Sequence, residues 1–290
     1  MLLSIVIPIG NFGRDYRNLN KIIKSTSKDD VELLFVLDTD EKTAFFELSE
    51  LCQKENVSHY KILSCSARNP GSSRNIGSEA AEGKWIIFCD SDDTPLLPNL
   101  LTAIYNVDNE SQIVIGSFLI ENSFGIQTPA SLIEDNPTLN WQSIALNPGI
   151  WRWLIQKKLV ENISFPDLSI GEDQFFLIKL LSDAPKIQFS SQIFYIYRRD
   201  IRGSLTSDKA KLPDLARNIE LEIAYITSLR IRNTLINNII FRQIVTLFKH
   251  GSFRFKLLAG VFSIRLILLF SPRAIFSVVK FAIQIIKSNN

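Results

Sequence analysis

The sequence predicts an α/β fold, a mostly parallel sheet flanked by helices, joined to a C-terminal extension that is all helical. Three observations predict it. Apolar runs alternate with helix-like stretches through the first 120 residues, one of the most apolar runs leads straight into a cluster of carboxylates, and the sequence from about Ser207 onward is helical in pattern and increasingly basic. Strands that alternate with helices are joined by crossovers, which cover both faces of a parallel sheet.

The elements follow in order. Leu2 to Ile9 is apolar and reads as a first strand centred on Ser4 to Pro8; with no basic residues ahead of it, it is too short for a signal peptide or a spanning helix. Val31 to Leu37, Tyr60 to Leu63, Trp85 to Cys89 and Ile113 to Ile120 read as further strands, and Glu41 to Glu55 and Ser72 to Glu82 as helices between them. The pattern loosens after Asn122 through Pro129, Pro137 and Pro148, then resumes near Trp151 with a helix. A second acidic site, Gly171-Glu172-Asp173-Gln174-Phe175-Phe176, opens an amphipathic helix running through Leu181, where the helix dipole by itself favours acids in the first turn. The expected division is one domain over residues 1–207 and a basic helical region over 208–290.

Composition narrows the function classes. The 290 residues suffice for one large core or a domain with an appendage. The net charge of +2 hides an asymmetry: no Asp or Glu follows Glu222, whereas ten Lys and Arg do, leaving 22 basic against 30 acidic residues before that point. Three cysteines, Cys52, Cys65 and Cys89, lack metal-ligand spacing and fit a reducing, cytoplasmic compartment. Neither G-x-G-x-x-G nor a P-loop is present, which excludes an ordinary NAD enzyme and a P-loop NTPase. His59 and His250 stand apart from both acidic clusters, so any catalysis is carboxylate-driven.

The acidic cluster carries the most information. Trp85-Ile86-Ile87-Phe88 runs into Cys89-Asp90-Ser91-Asp92-Asp93, placing the acids at the carboxyl end of a buried strand, where open α/β sheets bind ligands. Asp90 and Asp92 alternate to the same side. Oxygen-only ligands of this kind suit Mn²⁺ or Mg²⁺, whose shell is completed by phosphate oxygens and water. The same residues also read as an Asp-rich turn capping a helix that starts at Thr94-Pro95-Leu96.

Taken together, the segments over residues 1–207 resemble the inverting family-2 glycosyltransferases, which have a GT-A, Rossmann-like nucleotide-binding fold. Ser4-Ile5-Val6-Ile7-Pro8-Ile9-Gly10-Asn11 resembles their opening strand and loop, Leu33 to Asp38 the second strand with its nucleotide-contacting Asp, and Asn69-Pro70-Gly71-Ser72-Ser73-Arg74-Asn75-Ile76-Gly77 their Asn- and Arg-containing loop and helix. Asp90-Ser91-Asp92 is similar to the D-x-D element, Glu172-Asp173 with Phe176 to the E-D motif, and Tyr195-Ile196-Tyr197-Arg198-Arg199 with Gly203-Ser204-Leu205-Thr206 to the strand and loop that follow. Gly10 and Thr39 depart from the pattern, standing where an aromatic residue and a second Asp are common.

The resemblance implies transfer of a sugar from a nucleotide-diphosphate sugar, UDP favoured, to a saccharide hydroxyl by a single inverting displacement. It implies Asp92 as the principal metal ligand, assisted by Asp90. Asp173 is the implied general base, beside Glu172. Pro8, Asn11, Asp38, Asn69, Gly71, Arg74, Asn75, Asp90 and Ser91 are implied donor-site residues. Arg198, Arg199 and Arg202 offer guanidinium forks to a pyrophosphate, or form a solvated basic edge. Trp151 and Trp153 read either as an acceptor platform or as core aromatics.

In the tail, Arg273, Ser277, Lys280, Gln284 and Lys287 form one polar stripe of a helix, Asn233 to His250 shows similar spacing, and Phe253 to Phe270 is apolar but interrupted by Arg254, Lys256 and Arg265. Wide apolar faces with narrow cationic stripes suit an anionic membrane surface, or packing on the catalytic domain or a second subunit in an oligomer. The basic residues sit among Leu, Ile and Phe, which argues against nucleic acid. The expectation is a peripheral enzyme on the inner face of the cell membrane, serving a lipid-linked acceptor in surface-polysaccharide or lipopolysaccharide synthesis. The competing readings are an inactive GT-A scaffold at the membrane, and a metal-dependent phosphohydrolase or nucleotidyltransferase.

Overall fold

The computed structural model describes residues 1–26, 28–131, 133, 137–199 and 209–269. Arg202, the segment Gly203 to Thr206 and the stripe from Arg273 to Lys287 lie outside the described residues. The strands are β1 (Leu3–Ile9), β2 (Val31–Leu37), β3 (Tyr60–Ser64), β4 (Trp85–Phe88), β5 (Thr94–Pro95), β6 (Ile113–Glu121), β7 (Gln127–Ser131), β8 (Trp153–Gln156) and β9 (Ile187–Arg198). The helices are α1 (Phe12–Thr26), α2 (Ala44–Lys54), α3 (Pro70–Ala80), α4 (Leu97–Tyr105), α5 (Pro137–Leu146), α6 (Lys157–Val160), α7 (Glu172–Ser182), α8 (Leu212–Ser228), α9 (Thr234–His250) and α10 (Phe253–Leu268).

Two compact units interleave along the chain. The first comprises Met1–Glu134, Gly149–Asp167 and the described part of Asp183–Arg202; the second comprises the described residues of Asp135–Pro148, Leu168–Ser182 and Gly203–Asn290. The sequence reading cuts the chain once, after residue 207. The second unit instead recruits α5, which packs on α9, and α7, which packs on α8 and α9.

In the first unit the described strands form one sheet in the order β3-β2-β1-β4-β8-β6-β9-β5, with β7 beside β6. The expected parallel order holds from β3 to β4. Beyond β4 the sheet is mixed: β8 runs antiparallel to both β4 and β6, β9 runs parallel to β6, and β5 antiparallel to β9. A tight turn makes β6 and β7 a hairpin, with Asn122 Oδ1 accepting from the Phe124 and Ile126 amides and Gly125 at φ +75°. The helix expected near Trp151 is instead a 3₁₀ turn, Ile150–Arg152, followed by β8. Trp153, Leu154 and Ile155 are fully buried there, and a short apolar run buried on both faces has no period that separates strand from helix. Thr94-Pro95 likewise pairs with β9, and the helix starts later, at Leu97.

The two faces of the sheet are legible in β1. Leu3, Ile5, Ile7 and Ile9 join Leu33, Phe35 and Leu37 of β2 in a core with Leu19, Ile22 and Ile23 of α1 and Leu48 of α2. Each such side chain, fully buried, contributes about 1.5–3 kcal/mol. On the opposite face Gly77 of α3 approaches so closely that a Cβ there would stand 2.3 Å from Val6 Cγ1. Pro8 tolerates a position in an interior strand because its side of β1 faces β4, and the β4 pairing has already ended at Val6 with Phe88.

The second unit is helical among its described residues, with α10 against both α8 and α9. Leu215, Ile219, Ile223 and Ile226 form the buried stripe of α8, and Ile236, Ile240, Ile244 and Leu247 that of α9. Asn233 caps α9, its Oδ1 accepting from the Leu235 and Ile236 amides.

Candidate active site

The loop after β4 is built so that alternate residues turn in opposite directions. Ser91 and Asp93 are buried, whereas the Asp90 and Asp92 side chains remain about 33% and 26% exposed. The Cys89 amide donates to Val6 O at 2.9 Å, prolonging the β1 pairing, and the Asp93 amide closes a turn on Asp90 O at 3.0 Å. The Asp90 amide donates to the Tyr195 hydroxyl at 2.9 Å, and the Arg198 amide donates to Asp93 Oδ1 at 2.7 Å, so β9 holds the loop from one side.

Helix α1 holds it from another. Asn18 Nδ2 donates to Ser91 O at 2.9 Å and to Asp93 O at 2.6 Å, while Ser91 Oγ donates to Asp15 Oδ2 at 2.7 Å. Asp15 is in turn gripped by Arg14 through Nε at 2.6 Å and Nη2 at 3.0 Å, and Arg14 Nη2 also lies 3.6 Å from Asp92. Sequence reasoning missed Arg14, Asp15 and Asn18. The signal was present: Asp15 and Asn18 fall on the same buried helix face as Leu19 and Ile22, where a polar residue needs a partner.

Crowded acids raise one another's pKa. Burial first, then the charges of Asp90 and Asp15, push the Asp92 carboxyl up to about 6 against the pull of Arg14. Burial, then Asp90 and Asp92, push Asp93 well above the usual carboxylate range, opposed by its bonds with the Arg198 amide and Tyr195. Arg74 eases the strain on the outer side: its side chain is 6% exposed, Nη2 donates to Asp90 at 2.8 Å, and the guanidinium lies 5.6 Å from the Phe165 ring centroid.

The remaining residues singled out from the sequence divide by what their side chains touch. Asp38, just past β2, accepts from the Arg68 amide at 2.9 Å and from Ser73 Oγ at 3.5 Å. Asn11 caps α1 through Arg14 N, and Asn69 caps α3 through Ser72 N while donating to Asp167 at 2.6 Å. Asn75 exchanges two bonds with the Phe165 backbone, so its amide fixes a loop. Gly71 is buried in the first turn of α3. Arg198 pairs with Glu121 at 2.9 Å, and Arg199 is exposed. Trp151 stacks on Tyr195 and Tyr197, with centroids at 4.7 and 5.5 Å, and meets Phe118 edge-on, so it belongs to an aromatic cluster; Trp153 is fully buried. Beside Thr39, Glu41 accepts from both the Thr39 hydroxyl and the Gly13 amide.

In the second unit the acidic pair begins α7. Glu172 is buried and Asp173 half-buried, its Oδ1 accepting from the Gln174 amide at 2.9 Å. Gly171, at φ +82°, makes the turn into the helix. The turn is fastened to α8: Asp214 accepts from the Ser169 amide and hydroxyl at 3.1 and 2.5 Å, and Asn218 Nδ2 donates to Gly171 O at 3.0 Å. Beneath it lies a fully buried carboxyl, Glu222, which accepts from Asn218 and, through both oxygens, from Gln243 of α9. Burial drives its pKa up to about 8, those bonds hold it down, and the charge of Asp173 adds to the rise. None of Asn218, Glu222 and Gln243 was singled out from the sequence; their signal was polar residues inside otherwise apolar helical stripes.

Among the described residues no three His, Cys, Asp or Glu side chains group closely enough to enclose a metal ion. The outward carboxylates of Asp90 and Asp92 fit instead a Mg²⁺ or Mn²⁺ ion held by one or two protein oxygens and completed by phosphate and water.

Known proteins share this fold. The model for glycosyl transferase family 2 matches residues 4–202. Poly(ribitol-phosphate) beta-glucosyltransferase of Bacillus spizizenii is 30% identical over 213 residues, covering 69% of this chain and 33% of that protein, so the chain spans about a third of this relative's length. The crystal structure of Staphylococcus aureus TarS 1-349 in complex with UDP-GlcNAc is similar with a TM-score of 0.75 at 18% identity, over 94% of this chain and 83% of that one. The mannosyltransferase PcManGT from Pyrobaculum calidifontis, in complex with GDP-Man and Mn²⁺, is similar with a TM-score of 0.55 at 12% identity, over 99% and 86%. The two structures support the GT-A fold, and with the family model spanning the whole sheet, this chain belongs to glycosyl transferase family 2.

Proposed function

We propose that the chain transfers a sugar from a nucleoside-diphosphate donor, UDP favoured, to a hydroxyl of a cell-surface polymer or its lipid-linked precursor, with inversion. The observation that carries this reading is the pair of outward carboxylates, Asp90 and Asp92, at the carboxyl end of β4, with Asp38 at the end of β2. That end of an α/β sheet is where nucleotides bind. The complex of TarS with UDP-GlcNAc supports a UDP sugar, and the names of TarS and of the Bacillus relative make poly(ribitol phosphate) the first acceptor to test.

In this reading Asp92 and Asp90 hold Mg²⁺ or Mn²⁺, which when bound supplies positive charge for the departing diphosphate. Arg74 holds the Asp90 carboxyl in place, because its buried guanidinium donates to that side chain. Asp38 contacts the nucleoside. Asp173 accepts the acceptor hydroxyl's proton as that oxygen attacks the anomeric carbon; its half-exposed carboxylate suits the role better than buried Glu172. The electron pair of the breaking bond leaves with the diphosphate.

A thermal-shift titration of the purified protein with UDP, GDP, dTDP and CMP, each with and without Mn²⁺, tests the reading, since a ligand that binds the native state raises its stability. A Mn²⁺-dependent rise with UDP, lost in Asp92→Ala, is the expected result. No shift with any nucleotide would leave an inactive scaffold of the same fold.

A further inference from the structure

Helix α10 has two apolar faces. Ala259, Phe262 and Leu266 are buried, while Phe253, Leu257, Val261, Ile264 and Leu268 are 51–78% exposed. At 3.6 residues per turn the exposed five share an arc of roughly 80° on the side opposite the buried three. Arg254 and Arg265 border that arc on one flank and Lys256 on the other, all exposed. Such an outward apolar strip on an already packed helix has no structural purpose in water.

We propose that α10 docks this unit on an anionic lipid surface, its five apolar side chains entering the interface and the flanking cations meeting the headgroups. Charge selects the occupant. Beyond Glu222 the sequence carries ten Lys and Arg and no acid, and the acidic neighbour of the strip is Glu220, 3.8 Å from Arg265. A second copy paired across a twofold axis would set these cationic flanks against themselves. An anionic bilayer attracts them instead, and aliphatic and Phe side chains with bordering Lys and Arg are the composition of helices that lie in that interface. Among the described residues no helix is long and apolar enough to cross a membrane, so the helix lies on the surface. The inference stands on α10 alone and does not depend on the donor or the general base.

Vesicle flotation of the full chain tests it, with phosphatidylcholine alone and with equimolar phosphatidylcholine and phosphatidylglycerol. The wild type should float with the anionic vesicles and release in high salt. Leu257→Glu with Ile264→Glu should abolish flotation, and Arg254→Gln with Arg265→Gln should weaken it roughly thirtyfold, as two interfacial cations imply. Both variants should keep the wild-type melting temperature, because the altered side chains are exposed. No flotation of the wild type, equal binding to neutral vesicles, or undiminished flotation of the double-Glu variant would each overturn the proposal. A lipid-independent dimer that the double-Glu variant dissociates, with no flotation, would assign the strip to a second copy instead.

Discussion

Ser91 Oγ donates to Asp15 Oδ2 at 2.7 Å, joining the loop after β4 to the first turn of α1 across 76 residues of sequence. The bond explains why Ser91, between two outward carboxylates, points inward. Asp15 also occupies Arg14, which otherwise has Asp92 as its nearest free carboxylate at 3.6 Å.

Asp15→Ala should therefore act twice. It removes a buried hydrogen bond from Ser91 and part-buried ones from Arg14, a loss of about 1–3 kcal/mol, and it frees Arg14 to pair fully with Asp92 in competition with a cation. We expect a lower urea midpoint together with weaker Mn²⁺-dependent nucleotide binding. Asp15→Asn, which keeps an acceptor for Ser91, should recover much of the stability but less of the nucleotide binding, since Arg14 is released in both. Equal recovery of both properties would show that Arg14 does not compete at Asp92.

Glu222 predicts how stability depends on pH. Its folded pKa of about 8 lies above the unfolded value of 4.5, so the native state holds a proton that the unfolded chain releases between those values. The contribution is complete below pH 4.5 and is lost as pH rises through 8. At about 1.4 kcal/mol per pKa unit the whole swing is on the order of 5 kcal/mol. Glu222→Gln carries no such proton, so unfolding midpoints measured at pH 5, 6.5 and 8 should fall in the wild type and stay more nearly level in the variant. Parallel profiles for the two proteins would mean that Glu222 is ionised in the native state.

What was legible in the sequence follows from how local each signal is. Val31–Leu37 was read with its observed limits because an apolar run between polar turns is a local pattern. The outward alternation of Asp90 and Asp92 was readable from the two-residue period of extended chain. Trp153–Gln156 was not, because it is a strand only by virtue of the places left between β4 and β6. The supporting residues were hardest to see: Asp15, Asn18, Tyr195, Asn218 and Gln243 each have a partner more than 20 residues away, and no local pattern names a distant partner. Asn11, Asn69 and Asn75 show the reverse, since a motif marked them for the donor while their side-chain bonds cap helices and fix a loop.

Gly171→Ala should destabilise the second unit for two separable reasons. The residue sits at φ +82°, costing an L side chain about 1–2 kcal/mol, and its Cβ would stand 2.6 Å from Asn218 Nδ2. Combining it with Asn218→Ala relieves the clash while leaving the backbone cost. The double variant should thus be more stable than the sum of the two single losses, a coupling that denaturant melts of all four proteins measure. Simple additivity would mean that Asn218 moves aside freely and that the backbone angle alone carries the effect.

Asp173 and Glu172 are neighbours with different exposure, and that difference separates their variants. Asp173→Asn keeps the shape and the bond to the Gln174 amide but removes the charge from a half-exposed carboxylate. As the general base its loss should lower kcat by about 10²–10⁴-fold, with the Mn²⁺-dependent thermal shift by UDP retained and with the Glu222 pKa lowered, because one of its raising charges is gone. Glu172→Gln alters a buried group, so its effect should fall on stability before turnover. Single-turnover transfer with bound donor, measured for both variants beside their melting curves, distinguishes the roles. If Asp173→Asn turned over normally while Glu172→Gln was stable and inactive, the base would be Glu172.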